Sequence, residues 1–124
     1  VRDLMITGDK MPLVSDTESF TSVINTISEY KLGMAMVLDS DNKLSGVLTD
    51  GDIRRTIIKY PDSSNIKVKD VMTLNPKRIT SDAYAASALN LMEKYSITAL
   101  AVVDDNNIPV GVIHVHDLLR AGVA

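Results

Sequence analysis

The chain is an internal duplication, and this limits the folds open to it more than any other feature. Displaced by 65 residues, the second half falls on the first: Val37-Leu38-Asp39 meets Val102-Val103-Asp104, and Gly46-Val47-Leu48 meets Gly111-Val112-Ile113. Ten of the 42 positions from Val14 to Arg55 are identical to their copies. Upstream the displacement becomes 67, with Val1-Arg2-Asp3-Leu4-Met5 answering Val68-Lys69-Asp70-Val71-Met72. The loop after the first Met is therefore two residues longer in the first copy. Pro61-Asp62-Ser63-Ser64-Asn65 reads as connecting chain, which gives a first repeat over 1–60, a linker over 61–67 and a second repeat over 68–124.

Both copies read as β-α-β-β-α. A short apolar stretch, Leu13-Val14 or Arg78-Ile79, precedes Ser15-Asp16-Thr17 or Thr80-Ser81-Asp82, which are expected to cap the following helix. In that helix Phe20, Val23, Ile24 and Ile27 fall at i, i+3, i+4 and i+7, as do Ala85, Ala88, Leu89 and Met92. Strands are expected at Met34–Leu38 and Ala99–Val103 and, after a polar turn, at Leu44–Thr49 and Ile108–Val115. A second helix, Gly51–Lys59 or His116–Ala121, closes each copy. The expected class is α/β in the α+β sense, with two small sheets each covered on one face by helices. At about 60 residues neither copy can bury its apolar face alone. The copies are therefore expected to pack together with pseudo-twofold symmetry.

Composition acts mainly by exclusion. Hydrophobic residues make up 45% and charged residues 23%, enough for a true core and against disorder. The 13 Lys and Arg face 16 Asp and Glu, a net charge of −3, and no basic run occurs. Neither nucleic acid nor a membrane surface is thus expected as a partner. No apolar stretch reaches the roughly 20 residues that span a bilayer. Cysteine is absent, which removes disulfides, thiol catalysis and Cys-type zinc sites. No Ser/His/Asp triad, P-loop or dinucleotide fingerprint is present. With no leader at Val1, the expectation is a part of a larger cytoplasmic protein.

The segment richest in chemistry is Gly46-Val47-Leu48-Thr49-Asp50-Gly51-Asp52-Ile53-Arg54-Arg55. A strand ending at Thr49 and a helix starting within three residues put Thr49 and Asp52 near a helix N-terminus, where unpaired N–H groups favour anions. A hydroxyl and a carboxylate at this spacing suit the vicinal diol of a ribose, both of whose hydroxyls can donate to the carboxylate. The same spacing is that of a capping box, with Thr49 at the N-cap and Asp52 at N3, which needs no ligand. Spacing alone leaves both readings open. Arg54 and Arg55 begin a helix whose dipole disfavours cations, so an anionic partner or plain solvation would account for them.

In the second copy His114 replaces the Thr while Asp117 is retained. His114 and His116 would share one face if the strand ran through them, ready for a phosphate or carboxylate or simply as a surface pair. With Asp117 alone they are too few for a metal site, and none is expected. Gly33, just before Met34, either lets a ligand approach the backbone or ends the first helix. The six Met residues are scattered through both copies and read as core filling.

Two β-α-β-β-α copies carrying Gly-Val-Leu-Thr-x-x-Asp resemble a CBS-domain pair, or Bateman module, over essentially the whole chain. The resemblance implies that Thr49 and Asp52 grip a nucleotide ribose in a cleft between the repeats. It also implies that Gly33, Met34 and Ala35 border the base and that the region of His114, His116 and Asp117 lies near the phosphates. The sequence departs from the family pattern at His114, where a Thr or Ser is missing, and at Met34 and Ala99, where some nucleotide-binding members carry a basic residue.

Val1-Arg2-Asp3-Leu4-Met5 with Thr7-Gly8-Asp9, the stretch Thr49–Arg55, and the ending His114-Val115-His116-Asp117-Leu118-Leu119-Arg120-Ala121-Gly122 are similar to the C-terminal CBS pairs of D-arabinose 5-phosphate isomerases. These bacterial enzymes convert ribulose 5-phosphate to arabinose 5-phosphate for the Kdo branch of lipopolysaccharide or capsule synthesis. Thr-Asp-Gly-Asp-Ile-Arg-Arg alone also resembles CBS pairs attached to sugar nucleotidyltransferases.

The resemblance implies a regulatory module that is not itself an enzyme and requires no cofactor, with the isomerase domain lying before Val1. One candidate ligand is the pathway end product CMP-Kdo, whose charges Arg54, Arg55, His114 and His116 could meet. The other is an AMP- or ATP-type nucleotide, the family default. The alternative is a ligand-independent assembly module. Either way, a homodimer through CBS pairs is expected, within a parent tetramer.

Overall fold

In the computed structural model, which describes residues 1–123, the chain divides into two compact units. One comprises 12–76, the other 1–11 together with 77–124. The first holds β1 (Leu13–Ser15), α1 (Phe20–Tyr30), β2 (Met34–Leu38), β3 (Leu44–Thr49), α2 (Asp50–Lys59) and β4 (Thr73–Leu74). The second holds β5 (Arg78–Thr80), α3 (Ala85–Tyr95), β6 (Ala99–Val103), β7 (Pro109–His114) and α4 (Val115–Arg120). The class is mixed α/β with two small sheets, as the duplicated pattern predicts, and the main strands and helices begin and end within a residue or so of the positions read from sequence.

In the unit 12–76 the strand order is β1-β2-β3-β4, with β1 parallel to β2 and the other pairs antiparallel. Helix α1 turns Phe20, Val23 and Ile27 inward onto Val14, Ala35, Val37 and Leu48. Its N-cap is Ser19, whose hydroxyl accepts from Ser22 N at 3.1 Å, rather than the expected Ser15-Asp16-Thr17. Ser15 and Thr17 instead bond to each other, their hydroxyls 2.9 Å apart, with Ser15 N donating to Glu18 and Asp16 N to Leu38 O. They shape the turn ahead of the helix. In the second copy Thr80 likewise donates to Asp82, and the N-cap position falls on Tyr84, which supplies no side-chain cap. Helix α1 ends at Lys31 in the left-handed region (φ 60°), not at Gly33.

The unit of 1–11 and 77–124 has a three-stranded sheet, β5-β6-β7, with β5 parallel and β7 antiparallel to β6. Its core is Ala88, Leu89, Met92, Leu100, Val102, Ile113 and Leu118, with Val1, Leu4 and Met5 packed against it. The duplication persists into detail. Asp39 and Asp104 both use Oδ1 to collect two backbone N–H groups of the β-hairpin turn, and Asn42 and Asn107 both take φ near +60° there.

The compact units are not cut where the repeats are. Val68–Leu74 is, by the 67-residue displacement, the copy of Val1–Ile6 plus one residue, yet β4 pairs onto β3 of the first copy. Conversely, Ile6 pairs with Val112 of the second copy, through bonds of 2.8 and 2.9 Å. Each sheet is extended by the segment that opens the other repeat. Glycine makes this possible: a Cβ on Gly46 would lie 2.6 Å from Met72 Sδ and 2.8 Å from Thr73 O, and one on Gly111 would lie 2.6 Å from Met5 Sδ. Met5 and Met72 therefore fill a defined gap above a bare strand backbone.

Candidate functional site

Thr49 ends β3 with extended dihedrals (φ −112°, ψ 169°) and is the N-cap of α2. Its hydroxyl accepts from Asp52 N at 3.3 Å, and Asp52 Oδ2 accepts from Thr49 N at 3.0 Å, so the capping box is formed. The Asp52 carboxylate does more than cap. Oδ2 also accepts from the Thr49 hydroxyl at 3.1 Å, Oδ1 from Arg55 Nη2 at 2.6 Å, and the Thr73 hydroxyl bridges both oxygens at 3.0 and 3.1 Å. Asp52 is only 6% exposed, whereas the Arg55 side chain is 73% exposed. A carboxylate this buried requires such donors, since an unpaired one would be very costly.

The strand start expected to face a ligand lies alongside. Met34 is in register with Thr49 and Ala35 with Leu48 across the β2–β3 pair. Asp50 N donates to Gly33 O at 3.2 Å, and Asp50 Oδ2 lies 3.3 Å from where a Gly33 Cβ would be. Gly33 also has φ +74°, a conformation that favours glycine. The fold thus brings Gly33, Met34, Thr49 and Asp52 together, with the Met34 and Ala35 side chains buried. Arg54 is exposed; Arg55 meets Asp52 because i and i+3 share a helix face. The anion that answers the Arg55 charge is Asp52 itself.

The sequence marks Arg55 as a residue for an anion but not as the partner of Asp52, although the Asp-x-x-Arg spacing recurs as Asp117 and Arg120. Thr73 is the member that sequence reasoning misses, since its copy is Ile6 and nothing local ties it to Asp52.

The second copy rebuilds the cap with different chemistry. His114 ends β7 and is the N-cap of α4; its Nδ1 accepts from His116 N at 3.1 Å, while His114 N donates to Asp117 Oδ2 at 3.3 Å. The strand stops at His114, so the two histidines do not share a strand face. They meet instead across the cap, ring centroids 4.5 Å apart and planes at 56°. Burial, and then the neighbouring His116 charge, hold the His114 pKa below its ordinary value, Arg120 adding to the shift and Asp117 opposing it. An Nδ1 that accepts must be unprotonated, which the same direction favours. Arg120 pairs with Asp117 as Arg55 does with Asp52. Among the described residues no group of three or more His, Cys, Asp and Glu is placed to hold a metal ion, and no helix is long and apolar enough to cross a membrane.

Comparison with known proteins agrees with this architecture. A family model, CBS domain, matches residues 1–59 and again 68–124. Arabinose 5-phosphate isomerase KdsD of Pseudomonas aeruginosa is 42% identical over 99% of this chain, which spans only 38% of that protein. Among solved structures, the CBS domain pair of protein MJ0100 in complex with 5-methylthioadenosine and S-adenosyl-L-methionine superposes with TM-score 0.86 at 21% identity, over 98% of this chain and 94% of that one. CBSX2 in complex with AMP gives TM-score 0.82 at 22% identity, over 98% and 93% of the two chains. With both repeats matched and the fold shared, the chain belongs to the CBS-domain family, as a pair of CBS repeats homologous to part of KdsD.

Proposed function

We propose that this CBS pair is the regulatory module of an arabinose 5-phosphate isomerase and binds a nucleotide or nucleotide-sugar through Thr49 and Asp52. The observation that carries the reading is the Asp52 carboxylate: buried, fixed by Thr49, and occupied on Oδ1 by an arginine that is itself largely in water. The Arg55 side chain lies largely in water, so a ribose hydroxyl that donates to Oδ1 can take its place there while Thr49 and Thr73 go on donating to the carboxylate. The AMP and S-adenosylmethionine bound by the similar structures favour an adenine nucleotide. CMP-Kdo is the other candidate, as an anionic nucleotide-sugar with a ribose diol and the end product of the route the isomerase feeds. Isomerase chemistry would reside outside these 124 residues, in the cytoplasm where such metabolites are made.

Thermal melting against AMP, ADP, ATP, CMP, CTP and CMP-Kdo tests this. A ligand at 100 times its Kd adds about 2.7 kcal/mol, several degrees for a chain of this size. A selective rise that Asp52→Ala removes is expected; no rise with any of them would overturn the ligand reading.

A second reading has its own observation. Ile57, Ile58 and Tyr60 at the end of α2 are 50%, 76% and 43% exposed, and Leu119 on α4 is 56% exposed. Such side chains suit burial against a second copy, so assembly into homodimers is the alternative role and is compatible with the first. Sedimentation over a range of concentrations tests it: a monomer throughout removes the assembly role.

A further inference from the structure

We propose that Thr73 is a positioning residue for ribose recognition: its hydroxyl fixes the orientation in which Asp52 meets the ligand diol. The inference rests on the ribose reading of Asp52 above and goes beyond it to a residue outside the Thr-x-x-Asp segment.

The geometry comes from three steps that end at one atom. Gly46 lacks a Cβ, so the β4 backbone lies against β3, with Thr73 O at 2.8 Å from where a Gly46 Cβ would be. The register Val47↔Thr73 then sets Thr73 level with the end of β3, two residues short of Thr49. From there its hydroxyl reaches Asp52 Oδ1 at 3.0 Å and Oδ2 at 3.1 Å, across 21 residues of sequence.

A donor that bridges both oxygens resists rotation of the carboxylate in a way that a donor to one oxygen does not. Thr49 holds Oδ2 through its N–H and hydroxyl, and without Thr73 only the exposed Arg55 would hold Oδ1. When a ribose hydroxyl displaces Arg55, Thr73 is the group that still keeps Oδ1 in place. Recognition of a diol by a fixed acceptor gains from this preorganisation. The second copy shows the difference, since Ile6 stands where Thr73 would be and, among the described residues, no hydroxyl bridges the Asp117 oxygens.

The test measures Kd by calorimetry for AMP and CMP and for their 2′-deoxy counterparts, with the unaltered chain and with Thr73→Val, Thr73→Ser and Asp52→Asn. Thr73→Val keeps the shape and removes the hydroxyl. It should weaken the ribonucleotide by about tenfold, because the carboxylate no longer waits in a fixed orientation for the diol, and change the 2′-deoxy form much less. Thr73→Ser should restore the original affinity. A merely structural role would weaken both sugars alike and lower the melting temperature of the free protein in step. Unchanged discrimination in Thr73→Val, with Asp52→Asn inactive, would overturn the role of Thr73 and leave the Asp52 site standing. If the unaltered chain binds none of the six nucleotides named above, or Asp52→Asn binds as well as it does, the ribose site itself is wrong and the role of Thr73 falls with it.

Discussion

The starts of α2 and α4 are duplicates that keep an Asp and an Arg three residues apart and differ in the residue that caps the helix. Both are closed by a capping box whose N3 residue is Asp, and both place an Arg three residues on, against that Asp. In the first copy the cap is a hydroxyl and a second hydroxyl arrives from β4, which leaves Asp52 with four donating groups and 6% exposure. In the second copy the cap is an imidazole, the arriving residue is Ile6, and Asp117 is 16% exposed. Helix initiation tolerates either set, because all it requires is an acceptor for the free N–H groups. Recognition of a diol does not, because it requires a carboxylate held at a fixed angle. Local structure has been kept in both copies, while the proposed diol site falls in only one.

The strongest way to break the comparison lies in the cores. Phe20 is fully buried in the first copy, and its counterpart is Ala85. Phe20→Ala should cost about 3–5 kcal/mol in denaturant unfolding. A loss below 1 kcal/mol would mean that the first core can close over the gap as the second does. Next comes ligand response: the stabilisation of about 2.7 kcal/mol at saturating nucleotide should vanish in Asp52→Ala and persist in Asp117→Ala. Equal loss in both would show that the second copy also holds a ribose.

The glycines come third. Gly46→Ala should destabilise by about 1–3 kcal/mol through overpacking, since Thr73 O is backbone and cannot swing away as Met72 can. Gly111→Ala, whose contacts are the end of Met5 and Ile6 O at 3.0 Å, should cost less when both are measured by the same melt. The smallest effect sharpens the contrast between the caps. His114 titrates below its ordinary 6.5 in the folded chain, so the unfolded chain binds more protons between the two values. Stability should therefore fall as pH drops from about 6.5 through the folded value. His114→Thr, which copies the first repeat, should remove that part of the slope in a pH series of melts. An unchanged slope would place the titration elsewhere.

Much of this is legible in the sequence. Phe20, Val23 and Ile27 announce α1 by spacing, the Asp39 and Asp104 turns separate the hairpin strands, and Gly-Val-Leu-Thr followed by Asp52 marks a strand running into a helix. The caps of α1 and α3 were not legible. Ser15, Asp16 and Thr17 are all good N-cap types, but Ser15 and Thr17 bond to each other and Ser19 takes the position. Strand β7 also stops one residue short of the expected Val115, because Asp117 turns back to accept from His114 N and the helix begins there.

By itself, the sequence determined the duplication, the order of elements and the pairing of Thr49 with Asp52, because periodicity and short covalent spacing govern all three. Tertiary structure alone decided that each sheet is extended by the opening segment of the other repeat, and that Thr73 joins Asp52. Those contacts depend on how closely two backbones approach over a missing Cβ, which leaves no periodic trace along the chain.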